Sequence, residues 1–217
     1  NFRSSPNLDS KTAISVSNIN FKYFNSEDFI FENLTLQIPK GKHTVITGVN
    51  GSGKSTLLGL LSGVFYAENG SVETYSDKIG YVGASPMIIN STLKENLLYS
   101  ANEDVDDSKI LKLLSTFKIF NEESVSLDRK ISNKSLSMGQ MQKISFVRAI
   151  LSGVEILILD ESTSNLDEGS KKLIFQILQD LNITIINSTH NKEDFNNIDL
   201  HIEIAISEFG VRSLKLN

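Results

Sequence analysis

The chain has 217 residues, no cysteine and a formal net charge of −5, with 40% hydrophobic and 22% charged residues. This composition fits one soluble domain, or one domain with an inserted lobe. It excludes disulfides, zinc fingers and thiol catalysis, gives no reason to expect nucleic acid as a partner, and contains no apolar run near the ~18 residues of a membrane span.

Residues 1–12, NFRSSPNLDSKT, are polar and aperiodic and read as a linker cut from a longer polypeptide. AISVSNINF (13–21) and LTLQI (34–38) alternate with period two, as half-buried antiparallel strands do. HTVITG (43–48) is a short apolar run ending at glycine, and SGKSTLLGLLSGV after it reads as a helix. SVETY and KIGYV predict short strands. From Ser91 to Ser135 the pattern turns helical and polar, and DDSKILKLLSTFK places Ile110, Leu111, Leu114 and Phe117 at helical spacing behind an acidic first turn. A helix after LSMGQ, the buried run EILILDE (155–161), a helix over Asp167–Leu181 and the strand ITIINSTH (183–190) follow. HIEIAI and VRSLKL predict a terminal hairpin around Glu208-Phe209-Gly210. Apolar runs bounded by helices imply an α/β fold with a parallel sheet covered on both faces.

Three segments carry chemistry. Gly48, Gly53, Lys54 and Ser55 fit G-x-x-x-x-G-K-[ST] between a predicted strand and helix, the context that gives this motif its meaning. Glycines let backbone N–H groups wrap phosphates, Lys54 reaches the β/γ-phosphates, and Ser55 suits Mg²⁺. Asp160 and Glu161 end a buried strand, where open α/β sheets bind ligands. Asp160 suits a Mg²⁺ shell, and Glu161 suits a base polarising water. His190, ending the next strand, can share that edge and reach a γ-phosphate. In LSMGQ (136–140), Ser137 and Gln140 spell a capping box, which by itself only ties off a helix N-terminus.

Taken in order, GVNGSGKST (48–56), LSMGQ, ILILDE, SNLD (164–167) and His190 resemble the nucleotide-binding domain of ABC transporters over nearly the whole chain. The resemblance implies a RecA-like P-loop NTPase core with an antiparallel β-lobe and an inserted helical subdomain. Its boundaries would be core 13–90 and 136–217, with the helical subdomain at about 91–135. It implies ATP and Mg²⁺ as ligands. Gly48, Asn50, Gly51, Ser52, Gly53, Lys54, Ser55 and Thr56 would hold the phosphates, with Tyr23 stacked on adenine. Ser55 and Asp160 would hold the metal, and Glu161, His190 and Lys54 would serve catalysis. Ser137, Gly139, Gln140 and Asp167 would meet nucleotide across a head-to-tail pair with a second cassette, which gives the serine–glycine turn a use beyond capping.

NSTLKENLLY is similar to the exporter pattern, so the implied setting is the cytoplasmic face of a membrane. The membrane domain would lie N-terminal to residue 1. The pattern breaks at Ala84, in YVGASP, where the family has a Gln that touches Mg²⁺ and the attacking water, and at Met138, where the signature usually has Gly. The segment between SVETY and KIGYV is shorter than in most exporters, closer to the multidrug-resistance-protein branch. A regulatory cassette with slow hydrolysis is the alternative that Ala84 favours. A soluble ABC ATPase is the other, with neither paired cassettes nor a basic insertion here to support it.

Overall fold

The computed structural model describes residues 2–4, 9–101, 105–120, 125–189, 197–207 and 212–216. The chain packs as two compact units, one of residues 1–79, 155–160 and 182–217, the other of 80–154 and 161–181.

The first unit holds two sheets. In one, β2 (Thr12–Phe21) and β3 (Phe31–Pro39) run antiparallel with Ile14 opposite Ile38, as their period-two pattern predicts. β5 (Asn69–Thr74) lies on the other side of β2. Phe2–Ser4, inside the stretch read as linker, instead forms β1 and pairs parallel with β5. The physical reason is Phe2: its ring lies against Gly63, where an added Cβ would meet ring atoms at 2.9 Å, and it packs on the core.

Within this unit the other sheet contributes, in order, β12 (Arg212–Leu216), β11 (Leu200–Ile206), β4 (His43–Gly48), β10 (Thr184–Ser188) and β9 (Ile156–Asp160). All pairs are parallel except β11 with β12. The segment expected to turn that terminal hairpin, Glu208-Phe209-Gly210, lies outside the described residues. Every residue of β10 is buried, which explains the near-continuous apolar run of the sequence. Helix α1 (Lys54–Leu61) packs on β4, β9 and β10, burying Leu57, Leu58 and Leu61 against Ile46, Ile158 and Ile186. Register decides the rest. Ser188 lies beside both Asp160 and Ile46, so the C-terminal ends of β4, β9 and β10 share one edge.

The second unit holds α2 (Leu93–Leu98), α3 (Asp107–Thr116) and the strand pair β7 (Ser91–Thr92) and β8 (Lys130–Ile131). α4 (Met138–Leu151) packs on α2 and α3 and buries Ile144, Phe146 and Val147. α5 (Glu168–Gln179) buries Ile174 and Leu178. β6 (Ile79–Gly83) leads into this unit.

Candidate functional site

The chain leaves β4 at Gly48 because no other residue fits there: a Cβ would sit 2.5 Å from Ser52 Oγ and 2.8 Å from Ile204 O. Ser52 N–H donates to Val49 O at 3.1 Å, closing the turn. Gly53, at φ 106°, then starts α1 with no side-chain cap, so the first backbone N–H groups of the helix are left for an outside acceptor. Lys54 is only 5% exposed, and its ammonium donates to Gly48 O at 2.9 Å and to Val49 O at 3.4 Å. A buried ammonium on two neutral carbonyls lacks the charged acceptor that would best offset its desolvation.

Asp160, at the tip of β9, accepts from Ser55 Oγ at 3.1 Å and from Ser188 Oγ at 2.7 Å. One hydroxyl and one carboxylate fit Mg²⁺, which takes one or two protein ligands and completes its shell with water and phosphate. Among the described residues no group of three or more His, Cys, Asp or Glu is placed to hold a metal ion.

Tyr23 is 44% exposed, and its hydroxyl is 2.7 Å from Thr56 Oγ1. Its ring makes edge contacts with Phe21 and Phe65 at 5.2 and 5.7 Å. Phe65 is placed by Gly59, whose absent Cβ would otherwise meet the ring at 2.4 Å. The hydroxyl therefore has a partner within the phosphate loop motif, a contact that the stacking role expected for Tyr23 does not include.

Ser137, Gly139, Gln140, Glu161 and Asp167 belong to the second unit. The capping box is formed in both directions: Gln140 N–H donates to Ser137 Oγ at 3.2 Å, and Ser137 N–H donates to Gln140 Oε1 at 2.9 Å. Gln140 Nε2 also donates to Ile119 O at 3.0 Å. Ser137 Oγ thus spends a lone pair on the helix and keeps its own proton to donate. Met138 is half-exposed, so the extra side chain at this turn points away from the core. Glu161 has φ 49°, a left-handed conformation that costs a non-glycine residue about 1–3 kcal/mol. Strain of this kind concentrates at functional positions. Asp167 caps α5: Ser170 donates to it from both N–H and Oγ at 2.9 Å, and those bonds hold its carboxyl below the usual range. His190 lies outside the described residues.

The loop at Ala84 is gripped by side-chain amides. Asn165 Nδ2 donates to Ala84 O at 2.8 Å, and Gln142 Nε2 donates to Gly83 O at 3.0 Å. Gln142 and Ser188 were not singled out from the sequence, and Asn165 stood inside the SNLD motif with no role of its own. Ser188 carried a weak signal as a hydroxyl closing a buried strand; the other two are ordinary polar residues until their partners are known.

The family model for ABC transporters matches residues 31–164, a span that takes in the phosphate loop, LSMGQ and Asp160–Glu161. The chain belongs to the ABC transporter family. It is 31% identical to ABC transporter B family member 17 of Arabidopsis thaliana, over 94% of this chain and 18% of that protein. It is 33% identical to the ATP-dependent permease MDL1 of Candida albicans, over 86% of this chain and 30% of that one. The energy-coupling factor transporter ATP-binding protein EcfA1 of Fusobacterium nucleatum is 31% identical, with 83% of this chain and 74% of that protein aligned. The chain therefore spans under a third of the first two relatives. The solved structure of a bacterial Atm1-family ABC exporter with ATP bound superposes with a TM-score of 0.81 at 19% identity, over 99% of this chain and 41% of that one. At that identity the likeness shows the fold: the α/β architecture of an ABC ATPase domain. Among the described residues no helix is long and apolar enough to cross a membrane.

Proposed function

We propose that this chain binds MgATP and hydrolyses it as one of two cassettes paired head to tail, driving an exporter whose membrane domain lies elsewhere in the assembly. The observation that carries the reading is Lys54, a buried ammonium held by the carbonyls of its own loop, at the sheet edge where Asp160 and Ser55 meet. Phosphate oxygens entering the loop replace those neutral acceptors with charge-assisted bonds, roughly twice as strong. The uncapped N–H groups of α1 add donors with no proton to lose. Ser55 and Asp160 would hold Mg²⁺, which when bound neutralises phosphate charge. Tyr23 presents its exposed ring to adenine, and Glu161 takes the proton of the attacking water. His190 reaches the γ-phosphate. Ser137, with its proton free to donate, serves the nucleotide of the facing cassette with Gly139 and Gln140, while Asp167 holds the SNLD turn between them through its cap. A permease named as ATP-dependent among the relatives supports the nucleotide and a membrane-bound setting, and the cassette would sit on the cytoplasmic face.

A second reading, slow hydrolysis in a regulatory cassette, is favoured by Ala84, whose methyl group offers neither metal ligand nor water contact. Removing the buried ammonium tests the shared premise. Lys54→Ala is expected to abolish tight MgATP binding in titration calorimetry, and micromolar affinity retained by that variant would overturn both readings.

A further inference from the structure

A second cation reaches the phosphate loop from the far end of the chain. Arg212, first residue of β12, donates from Nε to Ser52 O at 3.0 Å and from Nη2 toward Gly51 O at 3.4 Å. Its aliphatic stem passes behind Gly53: an added Cβ there would lie 3.6 Å from Arg212 Cδ, beside Phe31 and Ile30. The loop carbonyls are thereby divided between two cations. Those of Gly48 and Val49 face Lys54, and those of Gly51 and Ser52 face Arg212.

The division matters because the two ends of a peptide group oppose one another. In a trans peptide the carbonyl of one residue and the N–H of the next point in opposite directions, and no cis bond occurs among the described residues. Holding the oxygens of Gly51 and Ser52 on the guanidinium turns the N–H groups of Ser52 and Gly53 away from it; that of Ser52 closes the turn on Val49 O, and that of Gly53 is left to face an anion. A phosphate is repelled by carbonyl oxygens and bound by N–H groups, so a loop fixed in this sense is already arranged for an anion. Lys54 cannot keep this order, since it must release its carbonyls to bind phosphate. The planar fork of Arg212 spans two carbonyls at once, which an ammonium on a flexible stem does less well.

We propose that Arg212 is a positioning residue of the phosphate cradle: it acts through the backbone of Gly51–Gly53, holding the carbonyls of Gly51 and Ser52 outward while Lys54 exchanges carbonyls for phosphate. This rests on the nucleotide-binding reading above. It makes the C-terminal hairpin part of the site's support, so that ATP affinity depends on a strand with no motif of its own.

The experiment titrates MgATP into the 217-residue chain and into Arg212→Met, Arg212→Lys and Lys54→Ala, with thermal melting of each variant with and without nucleotide. Arg212→Met keeps most of the stem over Gly53 and removes the fork. It is expected to raise Kd about tenfold, the scale of one hydrogen bond to a charged group. Its kcat at saturating ATP should stay within about twofold, and its melting temperature should rise less on adding nucleotide. Arg212→Lys should bind at least about threefold more weakly than the native chain. The proposal is overturned if Arg212→Met binds within about twofold of the native chain. It is also overturned if kcat and affinity fall together with the nucleotide-free melting temperature, which marks a structural staple. Should Arg212→Met fail to fold, Arg212→Lys decides, and native affinity there refutes the role of the fork. If Lys54→Ala keeps its affinity, the nucleotide reading fails and Arg212 falls with it. If Lys54→Ala loses affinity while Arg212→Met keeps it, only the Arg212 assignment fails.

Discussion

Ala84 is the departure from the family pattern that bears most directly on hydrolysis. Its carbonyl is bound by Asn165, so the backbone at 84 is fixed while its side chain offers nothing to metal or water. On the proposed reading the binding energy for ATP comes from the loop, Lys54 and Tyr23, so nucleotide affinity should be insensitive to this position. Hydrolysis depends on aligning a water for in-line attack, and positioning carries most of phosphoryl-transfer catalysis. Ala84→Gln should therefore raise the maximal ATPase rate several-fold and leave the ATP Kd within a factor of about three. A steady-state rate measured where dimerisation is not limiting checks this; an unchanged or lower rate would mean that the missing group is supplied elsewhere.

At the scale of elements, helix starts do double duty. α1 begins at Gly53 with no side-chain cap, which on the proposed reading leaves its N–H groups to phosphate. α4 and α5 are capped by Ser137 and Asp167, whose side chains accept from the N–H groups of Gln140 and Ser170. For α5 the cap is ionic. The Asp167 carboxyl is held below its ordinary range, chiefly by the Ser170 N–H and then its hydroxyl, and a depressed folded value means that the ionised form stabilises the folded state. That contribution is full above the unfolded value of about 3.9 and is lost as pH falls through the folded value. Asp167→Ala should melt a few degrees lower at pH 7, and the difference should shrink below about pH 4. Thermal denaturation at both pH values checks it, and a difference that persists undiminished in acid would deny the carboxylate its role.

For the whole molecule the question is pairing. The phosphate loop and Asp160 belong to one unit, whereas Ser137, Gly139 and Glu161 belong to the other. A chain whose Ser137 keeps a free hydroxyl proton at a capped helix start has a donor to offer a second nucleotide. The purified chain is expected to be monomeric without nucleotide. Glu161→Gln, by removing the base, should accumulate an ATP-dependent dimer that persists until the γ-phosphate leaves. Light scattering at high protein concentration reads this directly. The same mass with and without ATP would argue against self-pairing and point to a different partner cassette.

What the sequence determined by itself is whatever depends on neighbours along the chain. The period-two strands β2 and β3, the apolar run of β4, the phosphate loop at 48–56 and the capping box of α4 were all readable, because alternation, close approach at glycine and i to i+3 hydrogen bonds are local. Asp160 and Ser55 were legible as chemistry, but their 3.1 Å contact depends on the register that aligns β9 and β10 with β4. Tertiary structure alone decided that Phe2 joins a sheet, that the Tyr23 hydroxyl meets Thr56, that Asn165 holds Ala84, and that Arg212 grips Gly51 and Ser52. The physical reason is sequence separation: Arg212 and Ser52 stand 160 residues apart, and an arginine on an edge strand shows no pattern until folding supplies its carbonyls.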